Sequence, residues 1–189
     1  KRVYKEAYQH GIAKTIIEQG ADYVLALKGN QGNLYEDVKQ LFTVARCHNF
    51  KNISHQFYES AEKGHGRTEI RRYWTMGNTD FLIGSEKWVG LKSIGMVESE
   101  RQVKGMVSTE QRYYILSLET NVQKFAEAVR SHWSIENQLH WVLDVSFKED
   151  ASQACRGNTA ENLAVIRHVG LNLLSRDKKT KVGIKGKRL

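Results

Sequence analysis

The sequence predicts a mixed α/β fold, an α+β mixture in which a block of strands stands between helices. Three observations carry this. Residues up to about 50 show a helical period, then a continuous apolar run, then a second helical period. Between about 53 and 118 the period changes to two, and beyond that it returns to the helical value. Helix, buried strand, helix is the grammar of an α/β layer, and strands inserted between helices add a sheet layer or subdomain to it. A length of 189 residues suits one domain, or one domain with an insertion, and is enough to bury a sizeable core.

Taken in order, Ala7, Ile12, Ala13, Ile16 and Ile17 recur at helical spacing and Gly20 follows as a stop. DYVLALK, from Asp22 to Lys28, is apolar almost throughout. It reads as a buried, parallel strand ending in the punctuation of Gly29, Asn30, Gly32 and Asn33. Leu34, Val38, Leu41, Phe42 and Ala45 then restore the helical period to about Cys47. HQFYESAE, a GHG turn and TEIRRYWTM, followed by KSIGMVESERQVKG and STEQRYYILSL, read as antiparallel hairpins. Asn121 is suited to cap a long helix to about Leu143. Asn158 or Thr159 caps a last helix, whose buried stripe is expected to hold Ala160, Leu163, Ile166, Val169, Leu173 and Leu174. The tail KKTKVGIKGKRL closes the chain. The divisions expected are 1–52, 53–118, 119–176 and 177–189.

The net charge is +8, from 29 Lys and Arg against 21 Asp and Glu, with a pI near 9.5, and it favours a polyanionic partner. The tail, with six Lys and Arg in its last twelve residues, is a natural contact for a phosphate backbone. Cys47 and Cys155 form no CxxC and no even framework, so both read as small buried or idle thiols in a reducing compartment. No apolar run has the length of a membrane span, and KRVYKEAYQHGIAK lacks a signal-peptide core. These features predict a cytoplasmic protein without a membrane partner.

Glu136 is the first candidate for chemistry. In RSHWSIENQLHWVLD it shares the helical face of Phe125, Val129, His132, Leu139 and Leu143, which fall within roughly 40° of it on the wheel. An unpaired carboxylate buried there costs several kcal/mol, so it is expected to be paired, protonated or bound to a metal. His132, Glu136 and His140 have metal-like spacing, but three groups on three helical levels converge poorly as a zinc site. The residue types better suit one oxygen ligand for Mg²⁺ or Mn²⁺. Such an ion needs further carboxylates. Asp144, Glu149 and Asp150 are nearest in sequence and read equally as caps or a solvated loop.

Two other stretches are candidates for binding. KGNQ, with Lys28, Asn30 and Gln31, follows the apolar strand where open α/β sheets expose their sites, and Lys28 is placed to steer a phosphate. An ordinary polar turn accounts for it as well, and no GK[ST] makes it a phosphate-binding loop. EKGHGRTEIRRYW sets His65, Arg67, Arg71 and Arg72 beside Tyr73 and Trp74, a composition suited to phosphate contacts and base stacking. Alternation equally sends Ile70 and Tyr73 to opposite sheet faces and leaves the arginines solvated.

The segment HWSIENQLHWVLDVSFKEDASQACRGNTAENLAVIRHVGLNLL resembles the C-terminal part of bacterial insertion-sequence transposases, in particular the H-repeat-associated group. GADYVLALKGNQ and EKGHGRTEIRRYW are similar to that group's other signature stretches, so the likeness covers nearly the full chain. The resemblance implies an RNase H-like DDE fold in which two aspartates and a glutamate hold two divalent ions, Mg²⁺ or Mn²⁺. Glu136 matches the glutamate, on the helix after a β-strand insertion. On this reading residues 1–52 are a partial RNase H-like core, 53–118 the inserted strands and 119–176 the helices completing that core.

Related transposases frame the glutamate with a tyrosine, an arginine and a lysine. Val129, His132 and Leu143 stand at those positions here, so the wider motif is not carried over, and His132 and His140 remain as DNA-contacting candidates. Both aspartates of the family are absent, the second belonging just before the IAKTIIEQGADY-type helix, and the family continues beyond GIKGKRL. The expectation is a truncated transposase whose partner is the double-stranded DNA of element ends and which does not transpose alone. A non-catalytic DNA-binding remnant and a metal enzyme using His132, Glu136 and His140 are the competing readings. An incomplete sheet further predicts an open hydrophobic edge and self-association into homo-oligomers or aggregates.

Overall fold

The computed structural model describes residues 2–64, 67–77, 79–135 and 139–188, and the backbone alone of residues 2–8, Asn30 and Ser134. The chain divides into two compact units, Lys1–Val129 and Arg130–Leu189.

The first unit is built on one antiparallel sheet. Helix α1 (Arg2–Glu18) leads to the short strand β1 (Val24–Leu27) and helix α2 (Gly32–Cys47). Then come β2 (His55–Gly64), β3 (Arg67–Met76), β4 (Ser93–Val103) and β5 (Met106–Leu116), and the first half of α3 (Val122–Ile135). The strand order is β1-β5-β4-β3-β2. The two hairpins are in the register their alternation requires, with Tyr73 opposite Tyr58 and Val97, and Trp74 opposite Phe57 and Met96.

Helices cover both faces of this sheet. On one, Val38, Phe42 and Ala45 of α2 share a core with Trp74, Met96, Tyr113 and Ile115. On the other, Phe125 of α3 meets Tyr73 and Tyr114 edge-on, with ring centroids 6.1 and 5.2 Å away. Asn121 Oδ1 accepts from the Lys124 amide at 2.9 Å, the capping bond expected at the start of that helix. Burial stops part-way along the strands. In β4 Ser93–Glu98 are buried and the residues after Glu98 are not; in β5 only Tyr113–Leu116 are buried. The far ends of both hairpins therefore project beyond their cover.

In the second unit are α4 (Trp141–Phe147), α5 (Thr159–Arg176) and the short α6 (Ile184–Lys187). The basic tail folds back within this unit. Lys187 Nζ donates to the carbonyl of Leu174 at 3.1 Å and also to that of Asp177. Arg188 donates to the carbonyl of Ser146 and sits over the Phe147 ring.

The mixed α/β expectation holds, with three corrections. The apolar run before Lys28 is not a parallel strand. It pairs antiparallel with β5, Val24 opposite Leu116, at the edge of the sheet. A continuous apolar run records cover on both faces and carries no information on direction. Here direction is set by a distant partner, through the Tyr23 amide to Ser117 Oγ (2.8 Å) and Ser117 Oγ to Asp22 (2.7 Å). Second, the stripe expected to be buried on the last helix is not covered by its own unit. Ile166, Val169 and Leu173 are 64%, 53% and 64% exposed, and Leu171, off that stripe, is the buried leucine. Helical periodicity marks an apolar face without saying what lies against it. Third, Cys47 and Cys155 are exposed, which removes the buried alternative of their reading; both are free thiols.

Gly95 makes the docking of α3 possible. A Cβ built there would lie 2.6 to 3.0 Å from three ring carbons of Phe125, closer than atoms can approach. Gly95→Ala is expected to destabilise the first unit by about 1–3 kcal/mol, seen as a lower denaturation midpoint. Adding Phe125→Leu should recover part of that loss; no recovery would show that the ring contact is not the cause.

Candidate functional site

Glu136 lies outside the described residues, as does His65. The remaining candidates fall in three places. Lys28, Asn30 and Gln31 occupy a tight turn between β1 and α2. Lys28 is exposed, whereas the Gln31 side chain is buried within the turn. Its Oε1 accepts from the Lys28 amide, and its Nε2 donates to Gln9 Oε1 at 2.8 Å. Gln31 thus builds the turn. Beside it lies a polar cleft of about 260 Å³ walled by His10, Asn33, Lys87 and Trp88, with His10 edge-on to Trp88 at 4.5 Å. Lys87 and His10 were not singled out by the sequence, since they come from segments with no pattern linking them to KGNQ.

Arg67 and Arg71 share β3 but have different environments. Arg67 is exposed at the tip of the strand. Arg71 is 6% exposed, and its guanidinium holds Glu69 at 2.6 Å and Glu62 at 3.2 Å. It acts within the sheet. His132, near the end of α3, and His140, just before α4, are both exposed. Leu143, from the same wheel face as Glu136, is buried.

Sequence reasoning did not foresee a belt of charge where the sheet leaves its cover. Glu98, 5% exposed, accepts from Arg46 at 2.6 Å, Gln111 at 2.8 Å and Arg72 at 3.3 Å. Arg72 also holds Glu59 at 2.8 Å and Glu100 at 2.9 Å. Burial, the largest single influence, pushes the Glu98 carboxyl up. The hydrogen bonds from Gln111 and Arg46, the Arg46 charge and the bond from Arg72 together outweigh it and hold the group below its ordinary range. The Arg72 guanidinium is in turn held charged by Glu100 and Glu59.

Among the described residues no three His, Cys, Asp or Glu side chains gather closely enough to hold a metal ion. They do not by themselves fit a resident divalent cation. No helix among them is long and apolar enough to cross a membrane.

The structure thus combines a sheet carrying helices on both faces with hairpins ending in cations, in a chain of net charge +8. The chain belongs to the transposase DDE domain family, which matches it over residues 5–173. That domain is RNase H-like, and its members generally work with divalent metal ions.

Particular relatives narrow the likeness. The H repeat-associated putative transposase YhhI of Escherichia coli (strain K12) is 40% identical over 184 residues, 95% of this chain and 48% of that protein. The putative transposase YncI of Escherichia coli O157:H7 is 42% identical over 184 residues, 95% of this chain and 46% of that protein. The putative protein YbfL of Escherichia coli (strain K12) is 40% identical over the same shares as YhhI. The chain spans about half the length of these curated relatives. No solved structure matches it.

The Glu98 belt gives a pH dependence. A carboxylate whose folded pKa is depressed contributes fully above its unfolded value, ordinarily 4.5, and loses that contribution as pH falls through the folded value. Stability is expected to decline below about pH 4.5 more steeply in the native chain than in Glu98→Gln. At neutral pH that variant should lose about 1–2 kcal/mol, discounted because Arg46 and Arg72 are partly exposed. Denaturant titrations across pH check both, and parallel curves for the two proteins would contradict the assignment.

Proposed function

We propose that residues 1–189 supply the DNA-contacting surface and one catalytic acid, Glu136, of a DDE transposase acting on double-stranded insertion-sequence DNA. The family match over residues 5–173 carries this reading. Residues 1–52 and 119–176 contribute parts of the RNase H-like core, residues 53–118 the inserted strands, and residues 177–189 the basic tail. Lys28, at the turn after β1, and Arg67, at the end of β3, are the DNA contacts best supported by their exposure, and Asn30 belongs to the same turn as Lys28. His132 and His140, both exposed, form a second set. Gln31 and Arg71 act through the groups they hold.

Cleavage and strand transfer by this family need Mg²⁺ or Mn²⁺ held between acidic side chains. This stretch carries Glu136 but not the two aspartates that accompany it in the family, so by itself it does not assemble the metal pair and is inactive. One carboxylate cannot bring two divalent ions to the roughly 4 Å separation that in-line displacement at phosphorus requires. A non-catalytic DNA-binding role is the second reading, favoured by the net charge of +8. The protein is assigned to the cytoplasm, where its DNA resides.

Two measurements separate these statements. Affinity of the purified chain for duplex DNA should fall steeply with salt. Affinity at low salt no better than that of a neutral protein removes DNA contact from the reading. Plasmid nicking in Mg²⁺ or Mn²⁺ should not exceed that of Glu136→Gln; metal-dependent nicking that this substitution abolishes would overturn the claim of inactivity.

A further inference from the structure

We propose that the adjacent tips of the two hairpins enter a groove of duplex DNA, with cations on the two faces of the sheet reaching the two phosphate walls. This rests on the reading of the chain as DNA-contacting. Three cations, Lys63, Arg67 and Arg101, lie in the last rungs of β2–β4, and a fourth, Lys104, in the β4–β5 turn, all exposed. The pairings Gly64–Arg67, Arg67–Val103 and Val103–Met106 run straight across all four strands, so the tips form one continuous edge. Between them is a shallow groove of about 360 Å³ lined by Lys63, Arg67, Thr68, Gln102 and Lys104.

The cations at this edge form no ion pairs with their described neighbours. The acids of the same region are drawn away from it: Glu62 and Glu69 by Arg71, and Glu100 by Arg72. Among the described residues Lys63, Arg67, Arg101 and Lys104 have no ion-pair partner. Four exposed cations without ion-pair partners, gathered in three rungs and the adjoining turn, favour a polyanionic partner.

Geometry selects the duplex. Arg67 and Arg101 stand on the face that bears Tyr73, Lys63 stands on the opposite face, and Lys104 is in the turn. A sheet with its side chains is about 10 Å thick, and the major groove is about 12 Å wide, so the sheet fits edge-on with a face toward each wall. Met106, on the Arg67 face, and Val107, on the Lys63 face, are 74% and 57% exposed at the same tip and would enter the groove with the cations.

The β4–β5 turn points the same way. Lys104 has φ +49° and Gly105 φ +81°, the two positive angles of a tight hairpin turn whose first position favours Asn, Asp or Gly. Lys104 is exposed there, so its charge sits on the turn itself. Asn tolerates that backbone, so Lys104→Asn removes the charge and keeps the turn.

The test is fluorescence anisotropy of a short labelled duplex titrated with the full 189-residue chain over a range of salt. Lys63→Gln, Arg101→Gln and Lys104→Asn combined should weaken binding by at least about tenfold at low salt and flatten the salt dependence by about two to three contacts. Thermal melting of the variant should match the native chain. A control with the same loss of charge, Lys14→Gln, Lys39→Gln and Lys92→Gln combined, should change binding far less. Equal weakening by both triple variants overturns the proposal. Native binding unaffected by the tip variant also overturns it, while DNA contact elsewhere on the chain stands. Absence of native binding removes both.

Discussion

The first unit depends on a mismatch between strand length and helical cover. Strands of ten or eleven residues extend about 35 Å, and the burial of β3, β4 and β5 changes class midway along each. Where helices lie on both faces, alternation has to supply apolar groups to both, and Tyr73 and Trp74 stand back to back for that reason. Beyond that point the same alternation addresses solvent on both sides. One sheet thereby serves as core at one end and as charged surface at the other.

The junction between these regimes is where ion pairs become necessary. Glu98 is the last buried residue of β4, and a carboxylate there without partners would cost several kcal/mol. Arg46, Arg72 and Gln111, from three different elements, meet that cost. Arg71 does the same on the other face by gathering Glu62 and Glu69. The arrangement has a second effect. Because the acids of the hairpins are engaged by arginines at the junction, the cations nearer the tips keep their charge exposed. Internal stability and outward electrostatics come from one set of contacts.

The parts of this fold that local pattern specifies were readable: the order of elements through α3, both hairpins and the Asn121 cap each follow from residues within a few positions of one another, whereas α4, which runs on to Phe147, and α6 in the tail were not foreseen. Partners chosen over long separations were not. Val24 pairs with Leu116, and nothing in DYVLALK encodes that neighbour or its direction. Arg67 and Arg71 look alike in EKGHGRTEIRRYW, yet one is solvated and the other is nearly enclosed, with Glu69 on its own strand and Glu62 across the hairpin held by its guanidinium. The Ile166, Val169 and Leu173 row was recognisable as apolar, but the covering surface is a tertiary property that periodicity cannot supply. Glu136 stands out in the sequence for a different reason, since a charge in an apolar stripe is a local inconsistency of the kind that gathers at functional sites, but it lies outside the described residues.

Electrostatics also bear on how catalysis would divide along such a chain. Two divalent cations bring four positive charges into one position, and this chain already has a net charge of +8. A single glutamate supplies one negative charge against that field. Each added carboxylate both ligates and offsets repulsion, so affinity for a metal pair rises steeply with the number of acids and is weakest with one. DNA contact has the opposite requirement, since every uncompensated lysine or arginine strengthens it. The exposed cations of this chain therefore suit it to holding a polyanion, whereas a metal pair needs several carboxylates gathered at one point, and none of the described residues make such a cluster.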